Sequence, residues 1–575
     1  MMSKNRLETR SPPAPCLPAN LAPQAWITRL EAPRITCKQG TLTGLVFAIK
    51  DNIDATGLMT TAACPEFAFT AAEDALVVQK LLDSGAALLG KTNLDQFACG
   101  LNGTRSPYGA VPNAFDADYV SGGSSAGSAY VVATGQVDFS LGTDTAGSGR
   151  VPAGLNNIVG FKPSKGLIST RGVLPAAQSV DCVSIFARTV AVAVRVLQAS
   201  LGYDPLDPYS RQLDLTRQSW GAAFRFGVPT VLEFFGDTQA QAAFDQAVER
   251  LCALGGVPVA IDYTPLAQSA ALLYESALVA ERYAAIRAFF DAHEDQVIEP
   301  VRTIMAKGRQ YSAADLFQAQ TQLHAYGQQA AKMWHDIDLL LVPTAPTHYT
   351  IAAMQADPVA LNRNLGAYTN FVNLLDYAAI SVPSSIRPDG LPFGITLVGP
   401  CGSDWQLAEL GQRYHHATGL TQGALGEALP AMQALGGAGQ LPSLPLAVVG
   451  AHLSGMPLNS QLTERGARLA QSTHTAAHYR LYALPGTTPP KPGLRRVAGQ
   501  GAAIAVEVWD MPLQHVGSFL ALIPPPLGLG KLELADGSWV TGFICEGHAL
   551  DNALDVTEHG GWRAYMASGP PAPTA

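Results

Sequence analysis

Two segments dense in glycine and serine constrain this chain more than any other feature: GGSSAGSAY at Gly122–Tyr130 and GTDTAGSGR at Gly142–Arg150. Residues this small let backbone approach backbone, and glycine supplies the tight turns such loops need. A short apolar run, Phe139–Gly142, reads as a strand leading into the second segment, and Leu45–Lys50 reads as a strand that ends on a lysine. Ser125–Gly135 is small and apolar enough for a buried helix. Helical spacing recurs over Ala72–Gly85, Thr189–Gly202, Ala240–Gly255, Leu266–Ala292 and Ser403–Thr418. Ala86–Gly90, Leu339–Pro343, Ala379–Val382 and Ile395–Val398 read as further strands. The alternation predicts an α/β domain with a mixed or mainly parallel central sheet covered by helices.

At 575 residues the chain exceeds one ordinary core. The pattern breaks at Thr421–Pro445, which contains GGAGQLPSLP at Gly436–Pro445, an expected linker. Beyond it, Leu446–Gly450, Tyr479–Leu484, Ala503–Trp509, Phe519–Ile523, Lys531–Leu534 and Trp539–Cys545 read as strands of a smaller, β-rich α+β domain. The expected organisation is a flexible N-terminus over 1–20, a main domain over 21–420, a linker over 421–445, a second domain over 446–568 and a disordered tail over 569–575.

Net charge is −9 and no Lys/Arg block stands out, which argues against nucleic acid as a partner. The eight cysteines are scattered without a CxxC pair, the usage of reduced thiols in a cytoplasmic protein. No secretory leader and no apolar run of ~18 residues is visible, so no membrane partner is expected. Only 14% of residues are charged, and a modestly charged surface favours a homodimer.

The chemistry turns on where histidine is not. All 12 histidines lie at or beyond His293. A serine nucleophile in the Gly/Ser segments therefore needs either a lysine base or a distant histidine, because a serine hydroxyl is weakly nucleophilic unaided. A lysine serves only when neutral, and burial favours that form. Gly123–Gly127 also fits the GxSxG elbow of esterases, whose histidine comes late in the chain. Taken singly, Lys50 reads as a strand-end surface lysine, and Ser124 or Ser148 as loop or cap serines. No GKS, GKT or suitably placed GxGxxG supports a nucleotide site.

The surrounding text resembles the amidase signature family over about Leu45–Thr418. Ser121–Val151 is similar to the family's Gly/Ser-rich segment, and FAIKDNID around Lys50 to its lysine loop. TNLDQF at Thr92–Phe97, VGFKPSKG at Val159–Gly166 and LPFGITLVG at Leu391–Gly399 also resemble family text. The resemblance implies the amidase-signature fold and a Ser-cisSer-Lys triad: Ser148 as nucleophile, Ser124 as a bridging serine after a cis peptide, and Lys50 as base. It places an oxyanion hole at the backbone N–H groups of Thr145, Ala146, Gly147 and Ser148. Gly122 and Gly123 would leave room for substrate. No cofactor or metal is implied.

GLNGTRSPYG at Gly100–Gly109 and TAGSGRVPA at Thr145–Ala153 resemble the allophanate hydrolase branch, as does VVGAHLSGMPLNSQL at Val448–Leu462. The branch implies a small anionic amide substrate, contacted by Tyr274 and Arg282. A planar carboxylate suits an arginine fork. It also implies a functional link to a urea carboxylase. The second domain is implied to resemble γ-glutamyl cyclotransferase and to decarboxylate N-carboxycarbamate, with His452, Asn459, Gln461 and Glu507 as its polar candidates. A surface pair, His474 and His478, has helical metal-ligand spacing but lacks a third ligand. Two alternatives stay open: another short amide such as malonamate as substrate, and a docking or oligomerisation role for the second domain.

Overall fold

In a computed structural model, the described residues are 21–213, 215, 219–435 and 443–569. The expected flexible N-terminus, residues 436–442 of the expected linker and residues 570–575 of the tail lie outside them. The chain divides into two units, Met1–Ala438 and Gly439–Ala575.

The first unit is organised by an eleven-stranded sheet. Its strands are β1 (Trp26–Arg34), β2 (Val46–Lys50), β3 (Ala87–Thr92), β4 (Phe139–Asp144), β5 (Val159–Lys162), β6 (Cys182–Ala187), β7 (Phe224–Pro229), β8 (Gly256–Ile261), β9 (Leu339–Pro343), β10 (Ala378–Ile386) and β11 (Pro392–Gly399). They lie in the order β1-β3-β2-β4-β6-β5-β10-β11-β9-β7-β8. The sheet is mixed. β2 runs parallel to both β3 and β4, and β7 to both β8 and β9, while β4, β6, β5, β10, β11 and β9 alternate in direction. Because β3, β2 and β4 are parallel neighbours, the loops that leave their C-terminal ends share one edge, where ligands bind in open α/β sheets.

Apolar side chains on both faces make these central strands a continuous core. Phe47 on β2 stacks on Phe139 on β4, with centroids 5.2 Å apart and planes within 2°. The helix α1 (Ala126–Ala133) is buried along its whole length, as its small residues require. Among the described residues no helix is long and apolar enough to cross a membrane.

Three expectations change. Leu266–Ala292 is not one helix but α2 (Thr264–Glu275), α3 (Ala280–Ala285) and a further helix at Arg287–His293. Ser276 breaks it: its backbone is extended (φ −130°, ψ −177°) and its hydroxyl accepts the Leu278 N–H at 3.3 Å. Serine competes for backbone partners in this way wherever helix and turn are closely balanced. The start of the expected linker belongs to the first unit: Thr421–Gln422 pairs with Glu427–Ala428, and the Asn157 amide donates to the Thr421 and Gly423 carbonyls at 3.0 and 2.9 Å.

In the second unit, a five-stranded sheet holds the strands Ser443–Val448, Arg468–His474, Ala505–Pro512, Leu527–Glu533 and Trp539–Cys545. Tyr479–Ala483 and Pro492–Arg496 pair in a smaller sheet. The third change is here. The apolar run at Phe519–Ile523, expected as a strand, starts on the last turn of the helix Leu513–Leu520. A short apolar run alone cannot separate the two. His474 ends a strand, so His474 and His478 do not share a helix face.

The Phe47–Phe139 stack ties the two strands that carry the site. Phe139→Ala is expected to cost about 3–5 kcal/mol of stability, as large aromatic truncations in cores do. A lowered urea midpoint for unfolding of the full chain is the measurement that checks it.

Candidate active site

Three loops meet at the shared edge. Lys50 closes β2, and Thr145–Arg150 follows β4 directly. The turn carrying Ser124 precedes α1 and lies against the Asn93–Arg105 loop that follows β3, where the Asp95 N–H donates to the Ser124 carbonyl at 3.0 Å. The peptide between Gly123 and Ser124 is cis.

The side chains form a relay. Lys50 Nζ lies 2.7 Å from Ser124 Oγ, and Ser124 Oγ lies 2.9 Å from Ser148 Oγ. Lys50 and Ser124 are wholly buried, and Ser148 is 3% exposed. A second hydroxyl, Thr143 Oγ1, lies 2.8 Å from Lys50 Nζ. Burial lowers the Lys50 pKa to about 7, although the Asp95, Asp181 and Asp144 charges oppose that shift. A large fraction of the amine is therefore neutral near pH 7 and free to accept a proton.

The loop after β4 is braced from within. Asp144 pairs with Arg150 through contacts of 2.9 and 3.0 Å, both side chains fully buried. The same carboxylate accepts the Gly147 N–H at 2.8 Å and the Gly149 N–H at 3.0 Å. The Gly147 N–H, one of the expected oxyanion donors, is thus already engaged. Gly147 has φ +134°, and a Cβ there would meet Thr369 Oγ1 at 2.3 Å, so only glycine fits. Gly122 and Gly123 answer to packing within the protein. A Cβ on Gly122 would lie 2.9 Å from Pro152 Cα, and one on Gly123 would lie 2.1 Å from Asp95 Oδ2.

The broken helix still brings Tyr274 and Arg282 together. Arg282 Nη2 donates to Tyr274 Oη at 3.1 Å, with the guanidinium 5.1 Å from the ring centroid. Arg282 is 2% exposed, and its Nε and Nη1 have no hydrogen-bond partner among the described residues. No carboxylate among them pairs with it either. Its charge is felt by Lys50 and by Asp181.

Several polar residues at this site escape sequence reasoning. Thr143 lies within the second Gly/Ser segment, and Asp95 within TNLDQF, so local text held a signal for both. Asp95 accepts the Asn102, Gly103 and Arg105 N–H groups at 2.9–3.1 Å. Asp181 and Asn373 arrive from distant stretches and carry no local signal.

In the second unit the four polar candidates separate into two networks. His452 Nε2 lies 2.9 Å from Gln461 Oε1, and the Asn459 amide donates to the His452 carbonyl at 2.9 Å. The imidazole stacks on Phe543 at 5.2 Å and meets Phe519 edge-on. It lines a mainly apolar pocket with Lys491, Leu522 and Ile523. Burial lowers the His452 pKa and keeps the ring neutral. Glu507 instead accepts from Ser454 N and Oγ at 2.8 and 3.0 Å and from Arg563 Nη2 at 2.7 Å. Burial pushes the Glu507 carboxyl up, but the Arg563 and Ser454 hydrogen bonds outweigh it and hold the pKa below the usual range.

A buried lysine in contact with one serine, and that serine with a second, on Gly/Ser loops is the arrangement expected from the amidase-signature resemblance. The Amidase family model matches residues 16–408, and the chain belongs to that family, whose members hydrolyse amide C–N bonds. The allophanate hydrolase C-terminal domain model matches residues 444–567. The chain is 44% identical over 541 residues to the urea amidolyase of Saccharomyces cerevisiae, a match that covers 91% of this chain and 30% of that protein. It superposes on the allophanate hydrolase of Kluyveromyces lactis with a TM-score of 0.79 at 44% identity, covering 92% of this chain and 89% of that one. The urea amidolyase of K. lactis superposes with the same TM-score of 0.79 at 44% identity, covering 92% of this chain and 33% of that one. The chain thus spans about a third of the length of the urea amidolyases it matches.

The relay makes a pH prediction. With the Lys50 pKa lowered to about 7 and Lys50 expected as the base, kcat/KM for amide hydrolysis should rise as pH increases through that value. Lys50→Arg should be as inactive as Lys50→Ala, since arginine keeps its proton. Substantial turnover by the arginine variant would remove Lys50 from the role of base.

Proposed function

We propose that the first unit hydrolyses allophanate, urea-1-carboxylate, releasing ammonia. The observation that carries this reading is the buried, unpaired Arg282 guanidinium, whose charge acts on the Lys50–Ser124–Ser148 relay. A buried guanidinium with no carboxylate in contact and two nitrogens unbonded leaves a fork that a bound carboxylate can fill. The identity to relatives named urea amidolyase and allophanate hydrolase supports the same substrate.

Ser148 Oγ attacks the terminal amide carbonyl, passing its proton to Ser124, which passes its own to Lys50. The Ala146 and Ser148 N–H groups, which no described residue accepts, stabilise the developing oxyanion. Thr145 continues the same loop. The Lys50 ammonium returns a proton through Ser124 to the leaving nitrogen, and ammonia departs. What remains on Ser148 is the carboxycarbamoyl ester, which water hydrolyses to N-carboxycarbamate with Lys50 again as base. Tyr274 holds the Arg282 fork toward the substrate carboxylate.

The second unit is the place for decarboxylation of that product. The supporting observation is the neutral His452 in a pocket that also holds Lys491, a cation suited to a carboxylate. A reaction that carboxylates urea must supply the substrate, so a urea carboxylase is the functional partner, with a cytoplasmic setting for both.

Arg282→Ala should raise KM for allophanate at least about tenfold while altering turnover of neutral short amides far less, since they lack the carboxylate. Equal losses on both would make Arg282 structural. Malonamate turnover above that of allophanate would favour the alternative substrate. His452→Ala should leave ammonia release unchanged and delay CO2 behind it at early times. Simultaneous appearance of the two gases would remove decarboxylation from the second unit.

A further inference from the structure

Asp181 takes part in no step above, yet its carboxylate is buried against the site. It lies just before β6, the neighbour of β4, so its position follows from strand order and not from nearness in sequence to Thr145. The Thr145 hydroxyl donates to Asp181 Oδ1 at 2.5 Å. The Ala176 N–H donates to Oδ2 at 2.8 Å, and the Ala177 N–H reaches both oxygens at 3.2–3.3 Å. The residues just before Asp181 are anchored as well. Asn373 donates to the Asp144 carbonyl at 2.7 Å and to the Val180 carbonyl at 2.9 Å, clamping the start of the oxyanion loop to the residue before Asp181. Ser179 donates through N and Oγ to Glu281, each at 2.7 Å, next to Arg282 on α3.

We infer that Asp181 is a positioning residue: through the Thr145 hydroxyl it fixes the loop whose N–H groups face the reacting carbonyl. This rests on the reading of Ser148 as nucleophile and Lys50 as base. A carboxylate accepting a hydroxyl proton makes a short, charge-assisted bond that holds a loop more firmly than a neutral acceptor. Oxyanion donors act only where they are preorganised, so loosening this anchor acts on the transition state more than on substrate binding. The charges acting on Lys50 are Asp95, Asp181 and Asp144, which favour its protonated form, and Arg282, which opposes it. Arg282 also acts on Asp181. Burial raises the Asp181 pKa to about 6.

The test measures ammonia release from allophanate by the full chain carrying Asp181→Asn or Thr145→Val, across the neutral pH range. Both variants should lose kcat by about tenfold or more with KM nearly unchanged. In Asp181→Asn alone, the acid limb of kcat/KM should also move to lower pH, because a charge that favours protonated Lys50 is gone. A folded Asp181→Asn variant with wild-type kcat and an unmoved acid limb would overturn the inference. A raised KM with unchanged kcat would overturn it too, since it would place Asp181 on the Arg282 side of the site. Should Asp181→Asn not fold, unchanged kcat in Thr145→Val refutes the anchor. Ser148→Ala separates the two levels. Activity retained there unseats the nucleophile itself, whereas a dead Ser148→Ala beside an unaffected Asp181→Asn removes only the role given to Asp181.

Discussion

An amine buried without a carboxylate in contact is the condition around which the first unit is built. Lys50 stands at the end of a central strand with no exposure, and the groups that touch its nitrogen are hydroxyls, Ser124 and Thr143. Taking a charge out of water costs several kcal/mol, so the amine gives up its proton more readily than in solution. Carboxylates do surround it, at one remove. Asp144 is bound to Arg150, Asp95 to three backbone N–H groups, and Asp181 to Thr145 and two alanine N–H groups. They temper the shift without cancelling it. Had one touched Lys50 directly, the lysine would stay protonated.

The same indirect bracing explains the loop after β4. Asp144 and Arg150 are both fully buried, and such a pair adds little net stability over a well-packed apolar alternative. Its value here is geometric. The carboxylate collects the Gly147 and Gly149 N–H groups as well as the guanidinium, and the Arg150 guanidinium reaches the Thr369 carbonyl and Asn373 Oδ1 at 3.2 Å. Ser148 is therefore presented on a turn with few degrees of freedom. The contrast with Arg282 is informative. Arg150 has Asp144 in contact with it within the protein, and Arg282 has no carboxylate in contact among the described residues. One guanidinium is bound into the loop, and the other keeps two nitrogens without a partner among the described residues.

Much of this was legible in the chain itself. The Gly/Ser segments, the strand ending at Lys50 and the buried small-residue helix are local patterns, set by residue size and apolar periodicity over a few turns. Lys50, Ser124 and Ser148 could be singled out because each lies in a distinctive local text. The missed features are of two kinds. Some are local choices balanced by small energies, such as the break at Ser276 and the helix at Leu513–Leu520, where a side-chain hydrogen bond or packing decides between two states of similar energy. The others are meetings between residues far apart in sequence.

Sequence alone thus determined which chemical groups are present, which strands and loops carry them, and that no histidine precedes them in the first half of the chain. It did not determine that Lys50 is dry, that the Gly147 N–H is engaged by Asp144, or that Arg282 lacks a counter-ion. Nor did it show that Asp181 and Asn373 reach the Thr145 loop. Those properties belong to the order of strands in the sheet, which sets β6 beside β4 and brings residue 373 against residue 144. A pKa or an unpaired charge depends on everything within a few ångströms in space, and a linear pattern records only neighbours along the chain.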